Sequence, residues 1–138
     1  MRPTRDRKRG RRGPRAGAGA SSGAGAPKLR GKLWVETEAG VALTDAGADL
    51  LEQIDVVGSL SEAARRLRFS YRRAWMLADA MNRRWPRPLV MLSTGGHKGG
   101  GARLTALGRA ALGAYRDLQL RFEHFLDTSN PSFRRHAR

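Results

Sequence analysis

Cysteine is absent from the 138 residues, which excludes disulfides, cysteine nucleophiles and thiolate metal sites and fits a reducing cytoplasm. Histidine is scarce. His97, His124 and His136 lie far apart in unlike contexts, with no His-x-x-x-His pair and no carboxylate beside His97. Neither a metal centre, a cofactor nor a catalytic site is expected from such a set, so the reading is not an enzyme. Long apolar runs are missing too, and the N-terminus lacks a hydrophobic leader, so a cytoplasmic chain with no membrane partner is expected. Acidic residues are the last shortage: 12 Asp and Glu face 27 Lys and Arg, for a net charge of +15. An imbalance of that size attracts a polyanion, most often nucleic acid, which makes a nucleoid location the expectation.

The basic charge is unevenly spread. Residues 1–30 hold ten Lys and Arg against a single Asp, and residues 59–103 hold ten against Glu62 and Asp79, a net of +8. Residues 1–27 are an arginine run followed by a Gly-Ala-Ser stretch without apolar periodicity. Such a segment cannot bury enough surface to offset its ordering entropy, so residues 1–30 are expected to be a disordered basic arm. Either non-specific phosphate binding or plain solubilisation suits it. The remainder has room for one core, divided as a DNA-binding domain over 31–104, a dimerisation helix over 105–126 and a basic tail over 127–138.

Within the ordered part, Lys32 to Glu36 alternates, placing Leu33 and Val35 on one face of a short strand that ends at Ala39-Gly40. Thr44 and Asp45 offer an N-cap for a first helix ending at Gly58, with Asp45, Asp49, Glu52 and Asp55 on a face expected to point away from DNA. Ser59 to Glu62 reads as a capping box opening a short second helix to about Leu67. Ser70 caps a third, from Tyr71 to about Arg84, with Ala74, Leu77, Ala78, Met81 and Trp85 on its apolar stripe and Pro86 and Pro88 as the stop. Leu89–Leu92 and Ala102–Leu104 flank a glycine-rich connection as a hairpin. Thr105 caps the last helix, in which Ala111, Tyr115, Leu118, Phe122 and Phe125 follow an a/d seam suited to homodimerisation, and Asn130-Pro131 is expected to end it.

Two short helices joined by a tight turn and followed by a glycine-tipped hairpin is the order of a winged helix-turn-helix, so the fold class is mainly α. In that geometry the helix from Tyr71 enters the major groove of double-stranded DNA. Tyr71, Arg72, Arg73, Met76 and Arg83 are the candidate base-reading residues, with Arg72 and Arg73 suited to bidentate bonds with guanine. Ser59, Ser61 and Ser70 at helix starts, and Arg65, Arg66 and Arg68 on the second helix and turn, are candidate phosphate contacts. His97, Lys98 and Arg103 belong to the wing. GGHKGGG contains no Walker pattern, which sets aside a nucleotide phosphate loop. Of the tryptophans, Trp85 reads as core and Trp75 as lying at the edge of the helix pair.

The run GSLSEAARRLRFSYRRAWMLADAMNR, with the TGG-x-KGGGA wing at Thr94 to Ala102, Leu104-Thr105 and Gly108, resembles the N-terminal winged helix-turn-helix of ModE-type molybdate-responsive regulators, and more distantly the LysR-type domain. The resemblance covers about residues 31–126. It implies operator contacts at Ser70, Tyr71, Arg72, Arg73, Lys98 and Arg103, and dimerisation through Thr105 to Leu126. Full members of that family sense molybdate in C-terminal oligonucleotide/oligosaccharide-fold domains. Only a dozen residues follow Leu126, so the expectation is a transcriptional regulator lacking its own molybdate-binding domain and relying on a separate effector-sensing partner. The rivals are a nucleoid-type or RNA-binding basic protein without sequence choice, and a winged-helix module whose partner is another protein.

Overall fold

The computed structural model describes residues 25–93 and 100–137. Its elements run β1 (Val35–Thr37), β2 (Gly40–Leu43), α1 (Asp45–Val57), α2 (Leu60–Leu67), α3 (Tyr71–Arg84), β3 (Val90–Leu92), β4 (Ala102–Leu104) and α4 (Ala106–His136). The fold is mainly α, with three short helices, two antiparallel hairpins and a long last helix.

Each helix start is held by the residue its sequence offers. Thr44, Ser59, Ser70 and Thr105 are the N-caps of the four helices, their hydroxyls accepting from the N–H of Gly47, Glu62, Arg73 and Gly108, which satisfies donors that a helix leaves unpaired. The Ser59 capping box is only half formed. Glu62 turns outward to Arg65 instead of reaching back to the Ser59 N–H.

Apolar faces then converge on one core. Leu50, Leu51 and Ile54 of α1 are fully buried with Ala63 of α2, Ala74 and Ala78 of α3, and Leu89 at the foot of β3. Small residues at 63, 74 and 78 let the three helices approach closely. The acidic face of α1 is turned to α4. There Arg116 bonds Asp49 at 2.8 Å and Glu52 at 2.7 Å, and Gln119 and Tyr115 meet Asp45.

Three sequence expectations change. The strand read over Lys32–Glu36 starts at Val35 and has an unforeseen partner. The chain reverses at Gly40, whose φ of +118° suits glycine, and Gly40–Leu43 returns antiparallel with Thr37 opposite Gly40 and Val35 opposite Leu43. The last helix does not end at Asn130-Pro131 but continues to His136 with Pro131 inside it. In the turn before the proline the Thr128 hydroxyl donates to the His124 carbonyl and the Asn130 amide to that of Leu126, while the carbonyl that Pro131 itself deprives of a helical donor is that of Asp127. Arg134, Arg135 and His136 complete the last turn, where cations favour a helix C-terminus.

The third change concerns the arm. Residues 28–33, expected in part to be disordered, lie along α4. Buried Asn130 accepts from the Leu29 N–H at 2.6 Å and donates to the Leu29 carbonyl at 3.2 Å, and Gly31 sits close against the Phe122 ring. An amide that pairs with both backbone groups of one residue grips an extended segment as a neighbouring strand would.

Tyr115 joins the strap formed by residues 28–33 to α1 and α4. Its side chain is buried and its hydroxyl lies 2.7 Å from Asp45 Oδ1 and 2.8 Å from the Leu33 carbonyl, one proton serving two acceptors. Burial, and then the Asp45 carboxylate, push the phenol well above its usual range. Because the folded chain holds this proton more tightly than the unfolded chain, whose tyrosine titrates near about 10, the stabilisation is complete below that pH and is lost as pH rises above it. Tyr115→Phe is expected to cost about 1–3 kcal/mol at neutral pH and to flatten the fall in stability above about pH 10; denaturant melts at a series of pH values measure both.

Candidate nucleic-acid interface

A tight connection sets α3 against α2. Arg68 ends α2 in the left-handed conformation at φ 57°, which glycine adopts more easily than any side-chain-bearing residue. An arginine there keeps a cation at the turn. The Phe69 N–H then bonds the Ala64 carbonyl, and Ser70 caps α3, so three residues link the helices.

α3 buries Ala74, Ala78 and Met81 and half-buries Leu77 and Trp85, whose indole N–H bonds the Ala42 carbonyl. The opposite side, with Tyr71, Arg72, Arg73, Met76 and Arg83, is exposed. Its charges are unequal in availability. Arg83 pairs with Asp79 at 2.9 Å, and the Arg73 guanidinium stacks over the Phe69 ring at 4.0 Å. Among the described residues Arg72 meets neither a carboxylate nor a ring, so it projects its full charge from the first turn.

Along α2, Arg65 and Arg66 are exposed but face Glu62, at 2.5 and 3.7 Å. The Arg65 hydrogen bond holds the Glu62 carboxyl below the usual carboxylate range, and the same bond raises Arg65. The two remain cations able to exchange this partner for a phosphate. Ser61 is exposed and Ser59 half-buried at its cap.

The wing is fixed at its base. Val90–Leu92 pairs antiparallel with Ala102–Leu104, Met91 opposite Arg103, and the Ala102 N–H bonds the Gly58 carbonyl at the end of α1. Asn82, at the last turn of α3, links the wing to that helix: its Oδ1 accepts from Leu89 and Val90 N–H at 2.9 and 3.0 Å, and its Nδ2 donates to the Val90 carbonyl. Asn82→Ala would leave those partly buried groups unpaired and is expected to destabilise the chain by about 1–3 kcal/mol, read as a lower thermal midpoint. Arg103 is exposed on β4, whereas His97 and Lys98 lie outside the described residues.

The structure therefore places Arg65 and Arg66 on α2, Arg68 in the turn, Ser70 and Arg72 at the start of α3 around one depression with Arg73 and Met76, and Arg103 on the hairpin that Asn82 ties to α3. The expected seam on α4 divides. Ala111 and Tyr115 lie inside this chain's own core, because α1 and the strap cover them, and Phe122 faces Gly31. Leu118 and Phe125 remain outward, 46% and 56% exposed. The roles of Asn82 and Asn130 were missed as sequence features, since an asparagine that bonds a distant backbone leaves no periodic signal.

A helix pair joined by three residues and followed by a two-stranded wing defines a winged helix-turn-helix. No family model matches the chain. Its relatives are specific, however. It is 38% identical over 102 residues to the molybdenum transport protein ModE of Azotobacter vinelandii, a match covering 74% of this chain and 38% of that protein. It is 41% identical over 75 residues to the transcriptional regulator ModE of Haemophilus influenzae, covering 54% and 29%. A third relative, the molybdenum-pterin-binding protein MopB of Rhodobacter capsulatus, is 44% identical over 66 residues, covering 48% and 24%. The resemblance read from the residues is borne out: this chain carries a ModE-type domain, and it spans well under half the length of these relatives. Among the described residues no helix is long and apolar enough to cross a membrane.

Proposed function

We propose that this chain binds double-stranded DNA sequence-specifically as a transcriptional regulator of molybdate transport or molybdenum metabolism genes. The observation that carries the reading is the outward face of α3. It starts with Arg72, which among the described residues meets no carboxylate, follows Arg65, Arg66 and Arg68 of the preceding helix and turn, and belongs to a stretch of net charge +8. Free N–H groups and cations at a helix start suit phosphate oxygens, while the exposed side chains beyond them suit base edges. The names of the relatives supply the molybdenum link.

Outward Leu118 and Phe125 on α4 support a homodimer, which sets two recognition helices about 34 Å apart on one face of a two-fold symmetric operator. Fluorescence anisotropy with duplex DNA, single strands and RNA, using the full chain and a chain lacking residues 1–27, tests the reading. Both chains are expected to prefer duplex, with affinity falling by about three decades between about 50 and 200 mM salt for six or more phosphate contacts. Loss of duplex preference when residues 1–27 are removed would overturn it in favour of a non-specific basic arm.

A further inference from the structure

The outward face of α3 is not uniformly polar. Met76 is 54% exposed and Trp75 beside it 45%. Counting at helical spacing, Arg72, Met76, Asp79 and Arg83 form one outward ridge, with Trp75 on its flank. Asp79 and Arg83 neutralise each other toward the far end, so the central part of the ridge is a cation followed one turn later by a thioether. Ser70, Arg72, Arg73 and Leu77 surround Met76 in a shallow depression.

A large apolar side chain flanked by two arginines, Arg72 and Arg73, suits a polyanion that carries a small apolar group. Duplex DNA has one: in the major groove only thymine presents a methyl, at C5. An apolar protein surface would gain nothing from the surrounding guanidinium groups and would have to desolvate them. Methionine is unbranched and polarisable, so it can follow a methyl whose position varies with local groove shape.

We infer that Met76, with Trp75 at its side, reads a thymine 5-methyl in the major groove close to the base pair that Arg72 contacts. The inference rests on the duplex-binding reading above and adds to it a base and an atom. It separates two kinds of recognition on one helix, Arg72 acting by hydrogen bonds and Met76 by apolar contact.

Deoxyuridine differs from thymidine only by that methyl and leaves every hydrogen-bonding group in place, which makes the test atom-specific. A duplex enriched from a random pool by the full chain is resynthesised with each thymine replaced singly by deoxyuridine, and affinities are compared at fixed salt. At one position per half-site, affinity is expected to fall about fourfold, the worth of one buried methyl. Met76→Ala, on an exposed side chain that folding does not need, is expected to bind the thymine and deoxyuridine duplexes equally there, and Met76→Leu to keep the difference. The inference is overturned if the native chain binds the enriched duplex tightly yet ignores deoxyuridine at every position. It is equally overturned if the penalty survives intact in Met76→Ala. Failure to bind any duplex would sink the underlying reading as well, and is distinguished by the absence of an enriched pool.

Discussion

Gly108→Ala is expected to lower the stability of the chain by about 3 kcal/mol, at the severe end of overpacking substitutions. A Cβ there would overlap the carbonyl oxygen of Leu89 and stand 3.0 Å from its carbonyl carbon. Both are backbone atoms, and neither partner is free to withdraw. The Leu89 carbonyl accepts from the Thr105 N–H, its own N–H is held by Asn82, and its side chain is fully buried. On the other side, Gly108 lies in the first turn of α4, and its N–H bonds the Thr105 cap. The start of α4 and the foot of the wing would have to separate. For a domain of this size the thermal midpoint should drop by about 12 °C or more. Gly113→Ala provides the contrast: nothing lies within 4 Å of a Cβ built at Gly113 in the same helix, so the substitution should stabilise by about 0.5–1 kcal/mol through helix propensity. A Gly108→Ala chain melting within a couple of degrees of the native one would contradict the close approach of α4 to Leu89.

Arg72→Ala is expected to reduce affinity for the preferred duplex about tenfold to hundredfold, the range for a bidentate contact with guanine, and to relax the choice of base at one position per half-site. The expectation differs for its neighbours. Arg73 is engaged with Phe69 and Arg83 with Asp79, so binding must first release those partners and their alanine substitutions should cost less. Arg65 and Arg66, which share Glu62, should weaken all sequences alike, as phosphate contacts do. Folding is not at issue at any of these exposed positions. Equal losses for all five arginines, on preferred and unrelated sequences alike, would show that the face only senses charge.

What the sequence made legible follows from how local each signal is. The helices from Asp45, Leu60 and Tyr71 were readable at their starts because threonine or serine caps sit next to apolar periodicity, and both decide structure within a few residues. The wing strands were readable because a glycine-rich run separates two apolar ones. Features that depend on distant chain were not. The Gly40–Leu43 strand reads simply as an approach to a helix until Val35–Thr37 is laid beside it. Pro131 ordinarily ends a helix, yet α4 runs through it, with Asn130 just before it tied to distant Leu29. Ala111 and Tyr115 fall on the same seam as Phe125, yet α1 and the strap claim them first.

The candidate site shows the same division. Which residues face outward on α3 follows from helical spacing, so Tyr71, Arg72, Met76 and Arg83 could be named in advance. Which arginine is unencumbered could not, because the ion pair of Arg83 and the ring under Arg73 are properties of packed side chains. Met76 was legible as exposed, but its apolar character gains meaning only once the cations around it have been located.

Reading of duplex sequence by α3 and the wing is the property on which the proposed function stands. Selection from a random duplex pool by the full chain, followed by the same selection with Arg72→Ala, tests this most directly. The native chain is expected to enrich a two-fold symmetric motif, and Arg72→Ala to lose the preference at one position in each half while keeping the rest. A native chain that retains duplexes without enriching any motif would contradict that reading.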